Sequence, residues 1–172
     1  MNKEKNIAFI DWQNLYQWLN WSIDYVKFRI YLKDKYKISK AYYFLWFKEQ
    51  ENALYERLQE AWFILVFNQK PEHLKSDKKW NIDVNLTFHV MKKLLEENEK
   101  FEKIILVSWD WDYKVWVDYV IELDKFLKVI APNQKFASSL YRHKKHLDPK
   151  YFTFLDNAWI RNKIEYKKKK AP

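Results

Sequence analysis

The chain has 172 residues, close to one domain on the usual prior of roughly 100–200 residues per domain, and its 32 Lys+Arg against 23 Asp+Glu give +9 at pH 7. Cys is absent, which excludes disulfides, Cys-ligated zinc, iron–sulfur clusters and thiol nucleophiles. The opening Met1-Asn2-Lys3-Glu4-Lys5-Asn6 does not resemble an export signal, and no uncharged run approaches the ~18–20 residues that cross a bilayer; a cytoplasmic protein without membrane segments is expected.

In chain order, NIAFID (Asn6–Asp11) reads as a buried strand ending on an acid, followed by helical stretches over 13–20 and 25–36. In the second of these, apolar Val26 and Ile30 and aromatic Tyr25 and Phe28 fall on related faces. A second strand follows at Lys40–Trp46, a helix at 49–61 with Leu54 and Leu58 one turn apart, and a third strand at Phe63–Phe67. Residues 68–81 form a long polar stretch with Pro71, a candidate substrate loop. Helical spacing resumes at 82–99 through Ile82, Leu86, Val90 and Leu94. A fourth strand at Lys103–Ser108 precedes an acidic patch, then a helix at 113–123 and a fifth strand at Phe126–Ala131, stopped by Pro132. A helix start at 138–141, a short sixth strand at 151–155 and a terminal helix at 157–168 complete the reading. Continuously apolar strands separated by amphipathic helices indicate parallel strands covered on both faces. The expected fold is therefore α/β: a three-layer α/β/α sandwich on a mainly parallel sheet of five or six strands. It forms one domain over 1–166, with a basic tail at 167–172.

The tail holds Lys167 to Lys170, and without these four the excess charge falls to +5. Lys70, Lys75, Lys78 and Lys79 crowd a second basic stretch; Arg142, Lys144 and Lys145, interspersed with His143 and His146, crowd a third. Three such clusters favour nucleic acid as partner, and contacts to its phosphate backbone are assigned to these residues. Homo-oligomerisation is left open.

In open parallel sheets, ligands bind beyond the carboxyl ends of the strands, near a switch in strand order. Asp11 ends the first strand, Asp110 and Asp112 follow the fourth, and Asp83 opens the helix after the long loop. In an extended segment positions i and i+2 face the same way, so Asp110 and Asp112 can point into one site. Alone, Asp11 or Asp83 reads better as a helix N-cap. Four carboxylates brought together instead suit a hard cation, Mg²⁺ or Mn²⁺, which can activate water at a phosphodiester. Asn14 can position a ligand or satisfy a turn. Ser108 can cap or support a metal ligand, and Tyr16 and Tyr113, beside the acids, can stack on bases. Asp24, Asp118 and Asp124 read as ordinary solvated charges, and the four His residues have no metal-site spacing.

The segments IAFIDWQNLY (7–16), KWNIDVNL (79–86) and ILVSWDWDY (105–113), with the ending 155–166, resemble the NYN domain family of the PIN-like nuclease superfamily. Its patterns have the form F-I-D-G-x-N-L, K-G-x-x-D-x-x-L and V-S-G-D-G-D-[YF]. The resemblance implies a metal-dependent endoribonuclease of PIN-like fold, with Asp11, Asp83, Asp110 and Asp112 binding Mg²⁺ or Mn²⁺ and Asn14 beside them. At His89 many relatives carry a further Asp. The rival reading is a non-catalytic RNA-binding or regulatory module on the same fold. A nucleotide-binding α/β protein is disfavoured because no phosphate-cradling Gly-rich loop is present.

Gly is 0 and Trp 10, although Gly averages about 7% of residues. Trp12, Trp80, Trp109 and Trp111 stand where the motifs call for Gly, and Trp18, Trp46 and Trp62 fall at turns or helix ends. A gene in which UGA specifies Gly but was translated as Trp accounts for this most simply. A deliberately glycine-free chain competes with it. The coding DNA decides, since UGG at these positions excludes the first account. Trp21 is the best candidate for an ordinary Trp. An indole forced into a Gly conformation costs about 1–3 kcal/mol, and two of them flank Asp110. The chain as written is therefore expected to be a poor nuclease and its Gly-restored form an active one.

Overall fold

Six strands and five α-helices are set along the residues that the computed structural model describes, namely 5–13, 15, 19–68, 82–134 and 147–167. They are β1 (Asn6–Asp11), α1 (Tyr25–Tyr36), β2 (Ile38–Trp46), α2 (Asn52–Glu60), β3 (Ile64–Asn68), α3 (Ile82–Glu96), β4 (Ile104–Val107), α4 (Lys114–Glu122), β5 (Phe126–Ala131), β6 (Phe152–Phe154) and α5 (Ala158–Ile164). The strands form one sheet in the order β3-β2-β1-β4-β5-β6, every neighbouring pair parallel. The chain builds outward from β1 to β3, then restarts on the other side of β1 with β4, so the order reverses between β1 and β4.

Period-two alternation divides β1 between two cores. Ile7 and Phe9 pack with Leu106 and Val129 under Ile82, Leu86, Val90 and Leu94 of α3 and Trp116, Val117 and Val120 of α4. Ala8 and Ile10 face the other way, toward Phe28 and Leu32 of α1, Leu58 of α2 and Ile160 and Ile164 of α5. Helices thus cover both faces, as strands apolar on both sides require. Each fully buried Leu, Ile or Phe contributes about 1.5–3 kcal/mol.

The buried set of α3 is the one its spacing predicts. Helix α1 differs: it buries Phe28, Tyr31, Leu32 and Tyr36, while Val26 and Ile30 are half exposed. Aromatic rings, larger than the β-branched side chains, take the core-facing stripe. Asp24 is not a plain solvated charge: it is the N-cap of α1, Oδ1 accepting from the Lys27 amide at 3.1 Å. The stretch expected as one helix over 49–61 begins as a 3₁₀ turn at Glu49–Glu51 before α2. Of the polar loop expected over 68–81, Asn68 instead closes β3; the rest of it and the helix start expected at 138–141 lie outside the described residues.

Helix α2 ends in a Schellman motif: the Phe63 amide donates to the Leu58 carbonyl at 3.1 Å and the Trp62 amide to Gln59 at 2.8 Å. This places Trp62 at φ 63, the left-handed conformation that Gly adopts without penalty. Asp124 repeats the motif after α4, with the Lys125 amide on Val120 and its own on Ile121, both at 2.9 Å. Among the described residues only Lys37, Trp62 and Asp124 have positive φ. At Trp12, Trp46, Trp109 and Trp111 any Gly requirement is therefore one of space rather than backbone angle.

Candidate metal centre

Asp11 continues the odd-numbered row Ile7–Phe9 of β1, so its carboxylate is delivered to the α3/α4 face of the sheet, at the carboxyl end of the strand. It is almost fully buried. Trp12, one residue on, falls on the opposite face and packs on Tyr43 and Tyr25, ring centroids 5.8 and 6.4 Å apart. Asp83 sits in the first turn of α3, directly after buried Ile82.

Asp110 and Asp112 reach the same rim from β4, by a route other than an extended strand. Residues Trp111–Tyr113 form a 3₁₀ turn whose N-cap is Asp110. Its Oδ1 accepts from the Asp112 amide at 3.1 Å, while its own amide donates to Oγ of buried Ser108 at 3.1 Å. The carboxylates of Asp83, Asp110 and Asp112 then each offer an oxygen within 4.8 Å of the others. That spacing is about the width of a coordination sphere with metal–oxygen bonds of ~2.0–2.6 Å, and an all-oxygen donor set suits Mg²⁺ or Mn²⁺. The residues present fit such an ion.

Asp11 joins this group through Tyr113, whose hydroxyl lies 3.0 Å from Asp11 Oδ2 and 2.6 Å from Asp83 Oδ1. Tyr113 is wholly buried, so it offers no face for base stacking. Burial, then the charges of Asp11 and Asp83, push its pKa far above the usual tyrosine value and keep the hydroxyl protonated.

A polar pair that the sequence did not single out lies nearby. The Asn85 side-chain amide of α3 donates to Asn68, the last residue of β3, and His89 Nδ1 donates to the Asn85 carbonyl at 2.9 Å. The helical spacing 85–89 was the available signal; Asn68, read as the start of a loop, gave none. His89 also lies edge-on to Phe44 at 5.3 Å. Trp111 is half-buried against the α3/α4 core with Lys114 Nζ 5.4 Å from its ring centre. Trp21, partly buried, carries Arg161 over its ring at 5.4 Å. Lys114 pairs with Asp118, and Lys103 with Asp124 at 2.5 Å. Asn14, Tyr16, Lys70, Lys75, Lys78, Lys79, Arg142, Lys144 and Lys145 lie outside the described residues.

On the other face, beginning at Trp12, an open groove of about 1070 Å³ is lined by Leu15, Trp21, Tyr25, Lys48 and Arg57 among others. Arg57 lies over the Tyr25 ring, 5.3 Å from its centre.

The acids above the reversal between β1 and β4 lie where open, doubly wound α/β sheets commonly carry their ligand sites. The NYN domain model matches residues 6–148. The chain belongs to the NYN domain family, and with it to the PIN-like superfamily. The fold is similar to the crystal structure of a protein of unknown function from Vibrio parahaemolyticus, with a TM-score of 0.69 and 18% identity over 90% of this chain and 94% of that one. No curated protein matches the sequence.

Proposed function

We propose that the protein is a metal-dependent endoribonuclease that hydrolyses RNA phosphodiester bonds at the rim formed by β1, β4 and α3. The observation that carries this reading is the meeting of Asp83, Asp110 and Asp112 within 4.8 Å in a chain of the NYN family. These three carboxylates would hold Mg²⁺ or Mn²⁺, with Asp11 behind Asp83. When bound, such an ion supplies activation of a water and charge stabilisation at phosphorus. The protein's own part is to fix the acids. Ser108 and the Asp112 amide hold Asp110, and Tyr113 holds Asp83 and Asp11. Water oxygen bonds to phosphorus, the bridging P–O bond breaks, and the departing oxygen takes up a proton. The net charge of +9 favours a polyanion. The groove beside Trp12 adds cations and ring faces of the kind single strands use. The basic residues at 70–79 and 142–145, with the tail lysines, complete the proposed backbone contacts.

A second reading keeps the fold and RNA binding without turnover; the two Trp residues flanking Asp110 favour it. The variant Asp110→Ala separates the two. For a nuclease, Mn²⁺- or Mg²⁺-dependent cleavage of single-stranded RNA falls by about 100-fold or more, as removal of a charge-stabilising group does. RNA binding stays within about threefold of wild type, since removing a negative charge relieves repulsion of the phosphates and leaves the cationic groups in place. A wild-type protein that binds RNA but never cleaves it in either ion overturns the hydrolase reading.

A further inference from the structure

The hydroxyl of Tyr113 is a single donor facing two carboxylates, Asp11 Oδ2 at 3.0 Å and Asp83 Oδ1 at 2.6 Å. These acids come from different elements: Asp11 from the end of β1 and Asp83 from the first turn of α3. The Tyr113 hydroxyl links the two, and its ring is held by packing. It is wholly buried, stands edge-on to Trp116 at 6.0 Å, and belongs to the core under α3 and α4. It is also the last residue of the 3₁₀ turn that Asp110 caps and Asp112 occupies. One short turn therefore carries two acids of the site and the tether for the other two. A Phe here, which the family pattern also admits, would fill the same space and leave Asp83 and Asp11 without the hydroxyl that joins them, so the tether is a property of this chain rather than of the family.

We propose that Tyr113 is a positioning residue of the acidic site, its hydroxyl tying Asp83 to Asp11 and thereby setting the affinity of Asp83, Asp110 and Asp112 for Mg²⁺ or Mn²⁺. The inference rests on the metal-site reading given above but adds a residue that does not itself ligate. Groups that orient ligands typically contribute 10–100-fold to metal affinity. The residues it invokes, Tyr113 and the four acids, are not themselves Trp positions, although the Tyr113 ring packs on Trp116.

The test compares Mn²⁺ binding by calorimetry in wild type, Tyr113→Phe and Asp83→Asn, with RNA cleavage as a function of Mn²⁺. Tyr113→Phe is expected to weaken Mn²⁺ binding about tenfold and raise the Mn²⁺ concentration for half-maximal cleavage equally. The KM for RNA at saturating Mn²⁺ should not move, which a loss of fold or of RNA affinity would not reproduce. Unchanged Mn²⁺ affinity in folded Tyr113→Phe overturns the proposal and leaves the metal site standing. Wild type without Mn²⁺ binding, or Asp83→Asn binding as tightly as wild type, overturns the metal-site reading and this proposal with it. A measurement on wild type alone guards against a variant that fails to fold. In protein carrying 3-fluorotyrosine, Mg²⁺ should shift the one ¹⁹F resonance that Mn²⁺ broadens most, and an unmoved resonance refutes the tether.

Discussion

Tyr43 shows what one atom in the wrong solvent does. Its ring is wholly buried between Trp12 and Phe63, with centroids at 5.8 and 5.2 Å, and its hydroxyl has no hydrogen-bond partner among the described residues. An unsatisfied buried hydroxyl costs about 1–3 kcal/mol. Tyr43→Phe is therefore expected to raise stability by ~1 kcal/mol, read from the denaturant midpoint at constant m. Burial first, then the proximity of Tyr25 and Asp11, push the pKa of Tyr43 well upward. Its protonated form is thus favoured in the fold. That contribution is fully present below about pH 10, the unfolded tyrosine value, and is lost as pH rises toward the folded value. Stability should decline above about pH 10, and less steeply in Tyr43→Phe. At this scale the sequence named the acids that gather but not how they meet. The i, i+2 argument for Asp110 and Asp112 presupposes an extended segment, whereas a side-chain cap bends the chain into a 3₁₀ turn. Tyr113 likewise looked accessible beside two acids, and only the packing of α4 on the sheet reveals that it is sealed in.

Among elements, α3 and β1 were legible because their signals agree at every level. The spacing 82, 86, 90, 94 is one stripe of a 3.6-residue helix and is the stripe that is buried. The run Asn6–Asp11 is buried throughout. Helix α1 was legible in extent but not in face, because bulky aromatics on two faces leave the apolar stripe undefined and tertiary packing chooses. The end of α2 makes the Gly question physical. Trp62 occupies the left-handed position of a Schellman motif with 81% of its surface exposed, so the indole gains little packing to offset its backbone. A non-Gly residue costs about 1–2 kcal/mol there. Trp62→Gly is expected to stabilise the protein by ~1 kcal/mol, raising Tm by about 2–4 °C for a domain of this size. An unchanged or lower Tm would show that the site tolerates the indole.

On the scale of the whole molecule, the three-layer α/β/α architecture followed from alternation alone, while strand order did not: no local pattern states that β4 pairs with β1 rather than with β3. That pairing decides the site, because it carries Asp110 and Asp112 to the rim where Asp11 emerges. It joins Ile7 to Ile104 and Ile10 to Val107, positions more than half the chain apart. Contacts so distant in sequence are closed late and slowly, and a hairpin-sized fragment cannot reproduce them. The acids therefore report on maturation of the polypeptide. In a stopped-flow refolding experiment, Mn²⁺ capture should appear only with the slowest phase that restores near-ultraviolet dichroism, long after helical signal returns. Capture during the early burst would mean that the carboxylates assemble before the central ladder zips.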